Sequence, residues 1–182
     1  MTDFYYELSW KAAFNAYSLK QFCKDSFLPL VLSLVILVLF FIQSKLSFPS
    51  IIIKVCDMMI SLLPAFISIL IAAFAIWISF YLSKTIDFIK KDRDGKALLN
   101  ELNASFLIEI GFSIIGMLFT LFVLLVSEMG FFIEDTFAVI VNTIVLFLLL
   151  FICFAVVWWL IYIAKNLHNI AKFTILYERF DE

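Results

Sequence analysis

The residues that could support acid–base or metal chemistry are few and scattered in this chain. Glu101 and Glu109 lie two turns apart on a predicted helix near a membrane interface, where we expect solvated carboxylates or a salt bridge to Lys84 rather than catalysis. The only histidine, His168, has no possible metal ligand three or four positions later. HExxH, CxxC and phosphate-binding glycine motifs do not occur. We therefore predict no enzymatic activity, no metal site and no cofactor.

The densest charge lies in the stretch KKDRDGK, residues 90–96. Apolar residues recur at helical spacing on both sides, so we predict two helices that extend beyond the membrane and meet there, with Gly95 at the tight helix end. The charge marks either a tip in water or a docking surface for a soluble partner. A polar face of the C-terminal segment belongs to the same candidate surface. The candidate docking residues are Lys90, Lys91, Asp92, Arg93, Asp94, Lys96, Lys165, His168 and Lys172.

Small side chains repeat along the second apolar segment at alternating spacings of four and three. Small residues let membrane helices approach closely, and this spacing favours a left-handed crossing of about +20°. The face could pack within one bundle or around the axis of a homo-oligomer. Its serines could line a polar path between copies, although serines often bond to carbonyls of their own helix. The predicted packing face consists of Ser61, Ala65, Ser68, Ala72, Ala75 and Ser79.

Two polar residues, Asn142 and Thr143, interrupt the fourth apolar segment. Amides within membrane bundles commonly form hydrogen bonds between helices. We predict that Asn142 is such a group rather than a ligand contact.

The composition that surrounds these residues is that of an integral membrane protein. Of 182 residues, 65% are hydrophobic and only 15% are charged. Four stretches without ionisable side chains each approach or exceed the roughly 20 residues that a helix needs to cross a bilayer. We predict an all-α polytopic protein with four transmembrane helices in a domain of residues 26–164. The predicted spans are about 26–44, 58–83, 110–127 and 136–164.

The positive charges predict the orientation of these spans. Eleven of the thirteen lysine and arginine residues fall on one set of alternate connecting segments, which is therefore expected to be cytoplasmic and to include both termini. Residues 1–25 are expected to lie in the headgroup region as an amphipathic segment, with aromatic rings toward the acyl chains. Residues 84–109 would form a cytoplasmic hairpin and residues 165–182 a helical tail. The net charge of −2 gives no support to direct nucleic-acid binding.

Two classes of function fit this layout. In the first, the protein is a homo-oligomeric membrane scaffold or sensor that recruits a cytoplasmic effector. In the second, the oligomer is a pore or membrane-perturbing effector, similar to a holin, that dissipates ion gradients. A pore requires polar or charged rings or a hydrophobic gate, and only the serines of the second segment qualify. The scaffold is therefore the favoured interpretation.

In size, layout and composition, the chain resembles the small four-helix membrane proteins of bacterial anti-phage systems, in particular the membrane subunit of the Kiwa system. The resemblance covers the whole chain: four spans, both termini inside, and many Phe, Ile, Leu and Lys residues. It implies a homotetramer in the bacterial inner membrane that responds to phage infection and works with a cytoplasmic DNA-binding partner. It rests on no sequence motif, so no residue's role follows from it.

Overall fold

The computed structural model describes residue 13 and residues 17–43, 47–81, 93–129 and 136–178. Within these residues the regular secondary structure is helical and no strand occurs, which confirms the predicted all-α class. The helices that these ranges contain are α1 (Leu19–Asp25), α2 (Phe27–Gln43), α3 (Phe48–Tyr81), α4 (Arg93–Glu128) and α5 (Thr136–Glu178).

Three of these helices, α3, α4 and α5, are long and apolar enough to cross a membrane, and the chain is a helical membrane protein. They contain 34, 36 and 43 residues. The fourth apolar helix, α2, has 17 residues. At 1.5 Å per residue it is about 26 Å long, slightly less than the roughly 30 Å of a bilayer's hydrocarbon core.

The three long helices pack against one another, and α2 lies on the outside of this group, mainly against α5. Only a narrow stripe of α2 is buried, at Pro29, Ser33 and Leu37, which are four residues apart and so share one face of the helix. Most of its other apolar side chains are exposed on the protein surface. In a bilayer, this surface would contact lipid.

Two helices extend further than the apolar segments suggest. Helix α3 begins at Phe48, well before residue 58, so Pro64 lies in its interior. Helix α5 continues to Glu178, as the helical spacing of the C-terminal segment predicts. Of the predicted hairpin, residues 84–109, the part at residues 84–92 lies outside the described residues, and residues 93–109 belong to α4. The prediction that Gly95 ends a helix is wrong, because Gly95 lies inside the first turn of α4.

The closest described approach at a glycine joins α4 to α5. A Cβ atom added at Gly116 would stand 2.5 Å from Cγ2 of Ile152. Real Cβ atoms do not tolerate this separation, so the glycine allows the two helices to meet at this point. One turn further along α4, Thr120 is buried beside Met59 of α3, with 3.8 Å between the threonine Oγ1 and the methionine sulfur.

Candidate functional site

The short helix α1 is fixed at both ends by serines. At its start, the Ser18 hydroxyl accepts a hydrogen bond from the backbone N–H of Gln21 at 3.2 Å, which satisfies one of the unpaired amides of a helix N-terminus. At its end, the Ser26 N–H donates to the Phe22 carbonyl at 2.9 Å. The chain then continues at once into α2. This geometry places the side chains of α1 against one end of the long helices.

Aromatic rings attach α1 to the bundle. The ring of Phe22 lies 5.6 Å from Trp159 of α5 and 6.4 Å from Phe112 of α4, and these two rings are 4.8 Å apart. Tyr17 is buried with Ala104 of α4 in a small apolar cluster. The expectation that aromatic rings of residues 1–25 face acyl chains is therefore wrong for Tyr17, which protein buries, whereas Phe22 is half-buried against the bundle.

Polar contacts reinforce this docking. The Tyr17 hydroxyl donates a hydrogen bond to Oδ2 of Asp25 at 2.6 Å. The Gln21 amide donates to Oε1 of Glu101 at 2.5 Å, which joins α1 to α4 across a long stretch of sequence. Glu101 is therefore a partner of Gln21. Its predicted alternative partner, Lys84, lies outside the described residues.

Glu109 occupies a more unusual position, since its side chain is only 3% exposed. Its Oε2 atom has no hydrogen-bond partner among the described residues. The expectation that Glu109 is solvated is wrong, because α4 turns it toward the neighbouring helices. Its spacing from Leu102 and Phe106, at seven and three residues, gave a signal of this burial in the sequence.

Tyr17, Asp25 and Glu109 form an acidic cluster where α1 meets α4. Burial raises the pKa of Tyr17 above its ordinary value, and so do its hydrogen bond to Asp25 and the negative charges of Asp25 and Glu109. The phenol therefore stays protonated and donates a hydrogen bond to Asp25. Within the described parts of the chain, neither Asp25 nor Glu109 forms an ion pair with a cationic side chain.

The acidic cluster can bind one positive charge more easily than it can remain fully ionised. Two carboxylates in a poorly solvated site repel each other, so a proton or a cation stabilises the pair. The described residues contain no group of three or more His, Cys, Asp or Glu side chains that could hold a metal ion. The carboxyl groups themselves can bind a proton.

The predicted small-residue face lies elsewhere, on α3. Each of its members is exposed: Ser61, Ala65, Ser68, Ala72, Ala75 and Ser79. The three serine hydroxyls donate to backbone carbonyls of the same helix, four residues earlier, at 2.8–3.0 Å. The face is thus not packed against the described part of the chain, although helix packing within one bundle was one of its two interpretations.

The candidate docking residues are only partly described. Lys90, Lys91 and Asp92 lie outside the described residues, whereas Arg93 and Asp94 open α4. Lys96 is exposed.

On α5, the candidate docking residues Lys165, His168 and Lys172 are all exposed. Their spacings of three and four residues place them on one side of the helix.

Asn142 is buried in α5, in keeping with an interior position. Its Oδ1 atom lacks a hydrogen-bond partner within the described ranges, so the predicted bond between helices is not formed by this oxygen there. The hydroxyl of the adjacent Thr143 donates to the Val139 carbonyl of its own helix at 2.7 Å.

Comparison with known proteins does not add a family to this description. No protein-family model, curated protein or solved structure matches the chain.

Proposed function

We propose that this protein is a homo-oligomeric membrane scaffold or sensor that recruits a cytoplasmic effector. In this proposal, copies of the chain meet through the small-residue face of α3. The charged start of α4 and the exposed basic side of α5 receive the soluble partner.

The exposure of the small-residue face carries the proposal. Other exposed surfaces of the long helices present large apolar side chains suited to lipid, such as Ile115 and Leu118 on α4 or Ile144 on α5. The face on α3 differs because it consists only of serine and alanine, at alternating spacings of four and three residues. Since lipid tails are as apolar as leucine, membrane helices associate where small residues let their backbones come close. A second copy of α3 supplies a matching surface.

A pore is the second candidate, and the serine hydroxyls weigh against it. Each of the three hydroxyls donates a hydrogen bond to a carbonyl of its own helix. A lumen lined by these serines would therefore offer oxygen lone pairs and few free hydrogen-bond donors. Such a lumen offers few donors to an anion, and the face adds no ring of charged side chains for a cation.

The orientation that we propose has α2 as the first of four spans and both termini in the cytoplasm of a bacterium. The excess of lysine and arginine on alternate connections supports this arrangement in the inner membrane. A tetrameric assembly and a role in anti-phage defence rest on the resemblance to the Kiwa membrane subunit. That role includes work with a DNA-binding partner, although this chain itself would not bind nucleic acid.

Native mass spectrometry in detergent tests the oligomer directly. We expect the wild-type chain to give one defined oligomer and the double variant Ala72→Leu/Ala75→Leu to give mainly monomer, because the larger side chains separate the α3 backbones. Ala164→Leu is the matched control, since Ala164 is an exposed alanine on α5 outside this face. An unchanged oligomer mass in the double variant would contradict the proposed contact.

The same measurement tests recruitment when the protein is co-expressed with the product of its neighbouring gene. We expect the oligomer to capture this soluble protein. A variant in which Lys90, Lys91, Arg93 and Lys96 are neutralised should lose the captured protein while its own oligomer persists. An oligomer that captures nothing, but conducts ions in liposomes, would instead support the pore. Topology must be checked in the neutralised variant, because these charges also help to orient the chain.

A further inference from the structure

We propose that Asp25 and Glu109 form a proton-binding pair, and that loss of the bound proton releases α1 from the ends of α4 and α5. The site is separate from the α3 face, so the inference does not depend on the oligomer proposed above.

The first step is the environment of Glu109. Its carboxyl group is almost entirely covered by protein, and Oε2 has no hydrogen-bond partner among the described residues. A buried ionised carboxylate without hydrogen bonds or a cation is strongly destabilising. A proton on this group removes the net charge and makes the carboxyl a hydrogen-bond donor.

The second step is the neighbour across the helix boundary. Asp25, the last residue of α1, acts electrostatically on Glu109, and its own Oδ2 is occupied by the Tyr17 hydroxyl. The Ser26 hydroxyl next to Asp25 is also buried and without a partner in the described structure. The docked position of α1 thus places one carboxylate near another, and one bound proton lowers the net charge of the pair from −2 to −1.

Among the residues that the structure describes, the other titratable groups at this end do not supply the missing positive charge. Tyr162 of α5 acts on Tyr17, Glu101 of α4 is bonded to Gln21, and Tyr81 of α3 is buried among apolar side chains of α4. The lysines and histidine on the packed helices are exposed: Lys20, Lys24, Lys165 and His168. The pair therefore depends on a proton from solvent.

The third step links the proton to the position of α1. When the proton leaves to water or a buffer base, two carboxylates remain at the boundary between α1 and α4. Separation of α1 from α4 relieves their repulsion and lets water reach both groups. Among the described residues, the contacts that oppose this movement are the ring of Phe22 against Phe112 and Trp159, the apolar cluster of Tyr17 with Ala104, and the hydrogen bond from Gln21 to Glu101.

Cys23 offers a natural reporter for this movement, because it is exposed on α1 whereas Cys56 is buried. A nitroxide spin label attached to Cys23 in a Cys153→Ala background would report the mobility of α1 by electron paramagnetic resonance. In a titration run from about pH 5 to about pH 9, we expect the label to become more mobile as the pH rises, through the loss of a single proton. A label mobility that stays constant over this range would overturn the proposal.

Three variants test whether Glu109 is the group whose proton loss produces the transition. Glu109→Gln should abolish it, because the amide remains neutral at every pH. Asp25→Asn should move its midpoint to lower pH, because removal of the neighbouring charge favours ionised Glu109. Glu101→Gln, on the same helix, is the matched control and should keep the wild-type transition. A transition that persists in Glu109→Gln, or disappears only in Glu101→Gln, would contradict the assignment.

The nature of the bound charge is tested at constant pH by replacing sodium chloride with choline chloride. We expect no change in label mobility if the ligand is a proton. A midpoint that moves with sodium concentration would show that an alkali cation occupies the site and would overturn the proton assignment. Circular dichroism confirms that each variant keeps its helices. If Glu109→Gln does not fold, the downward shift in Asp25→Asn still tests the pair.

Discussion

At the scale of single residues, the hydrogen bond from Tyr17 to Asp25 shows how a short polar contact can hold a terminal segment in place. The donor is buried and the acceptor is half-buried. Hydrogen bonds to charged acceptors contribute more than neutral ones, about 1.5–3 kcal/mol. Because the pKa of Tyr17 is raised, the neutral phenol is favoured in the folded state, and ionisation of the phenol removes its contribution only at alkaline pH.

We expect Tyr17→Phe to lower the free energy of unfolding by about 1–3 kcal/mol at neutral pH, because Asp25 loses its donor. A double-mutant cycle with Asp25→Asn, measured by thermal unfolding in detergent, isolates the contact. The coupling energy should be of the same order as the effect of Tyr17→Phe. A coupling near zero would mean that the two side chains contribute independently and that the hydrogen bond adds little.

Glu109 is the second feature at the scale of single residues, because its buried carboxyl group lies where α1 meets α4. Its neighbours along α4 are largely apolar, and it lies directly before the predicted third span, residues 110–127. Ionisable side chains that face the interior of a membrane bundle are commonly functional. This general relation, together with the proximity of Asp25, is why proton binding is the most specific chemistry that the described residues support.

At the scale of the elements, the approach of α4 to α5 depends on the absence of a side chain at Gly116. We expect Gly116→Ala to destabilise the bundle by about 1–3 kcal/mol, because the new Cβ would overlap the branched methyl group of Ile152. Thermal unfolding in detergent measures the loss.

A second substitution provides the control for this clash. In Gly116→Ala/Ile152→Leu, the side-chain volume of residue 152 is kept but its branch moves away from Cβ, so we expect part of the lost stability to return. Equal destabilisation in the single and double variants would show that the methyl contact does not determine the helix separation.

The helices also differ in how their faces are used. The buried stripe of α2 is one residue wide, whereas α4 buries residues on several sides where α1, α3 and α5 meet it. On α3, the side with large residues such as Leu63, Leu70 and Trp77 faces the bundle, and the small residues remain outside. This division makes the α3 face available to a second copy of the chain.

At the scale of the whole molecule, the orientation in the membrane can be tested with a native cysteine. Cys23 is exposed, Cys56 is buried and Cys153 is half-buried. If the N-terminal end is cytoplasmic, we expect a membrane-impermeant maleimide to label Cys23 in inverted vesicles and not in right-side-out vesicles.

The Cys23→Ser variant identifies the labelled site in this experiment and should show no labelling in either preparation. Labelling of the wild-type chain only in right-side-out vesicles would reverse the proposed topology. The charged start of α4 would then face the periplasm, where no cytoplasmic partner could reach it.

The sequence by itself determined the helical class and the position of the long apolar elements. Stretches without charge and without alternation can satisfy their backbone polar groups in lipid only as helices, so residues such as those of α3 to α5 leave little choice. The helical spacing around Leu167 likewise predicted that the last helix continues through the C-terminal segment, and α5 does continue to Glu178. Local signals predicted these features because each depends on residues close together in the chain.

Only the tertiary structure decided which faces of those helices meet. Glu109 was expected to be solvated or paired with Lys84, and Ser68 was expected to lie on a packing face, yet Glu109 is buried and Ser68 is exposed. Gly95 suited a helix end but lies within the first turn of α4. The burial of a side chain depends on how each helix is rotated against its neighbours and on where α1 docks. Both are determined by contacts between residues far apart in the sequence, such as Phe22 with Trp159. The spacing of residues within one segment does not predict such contacts.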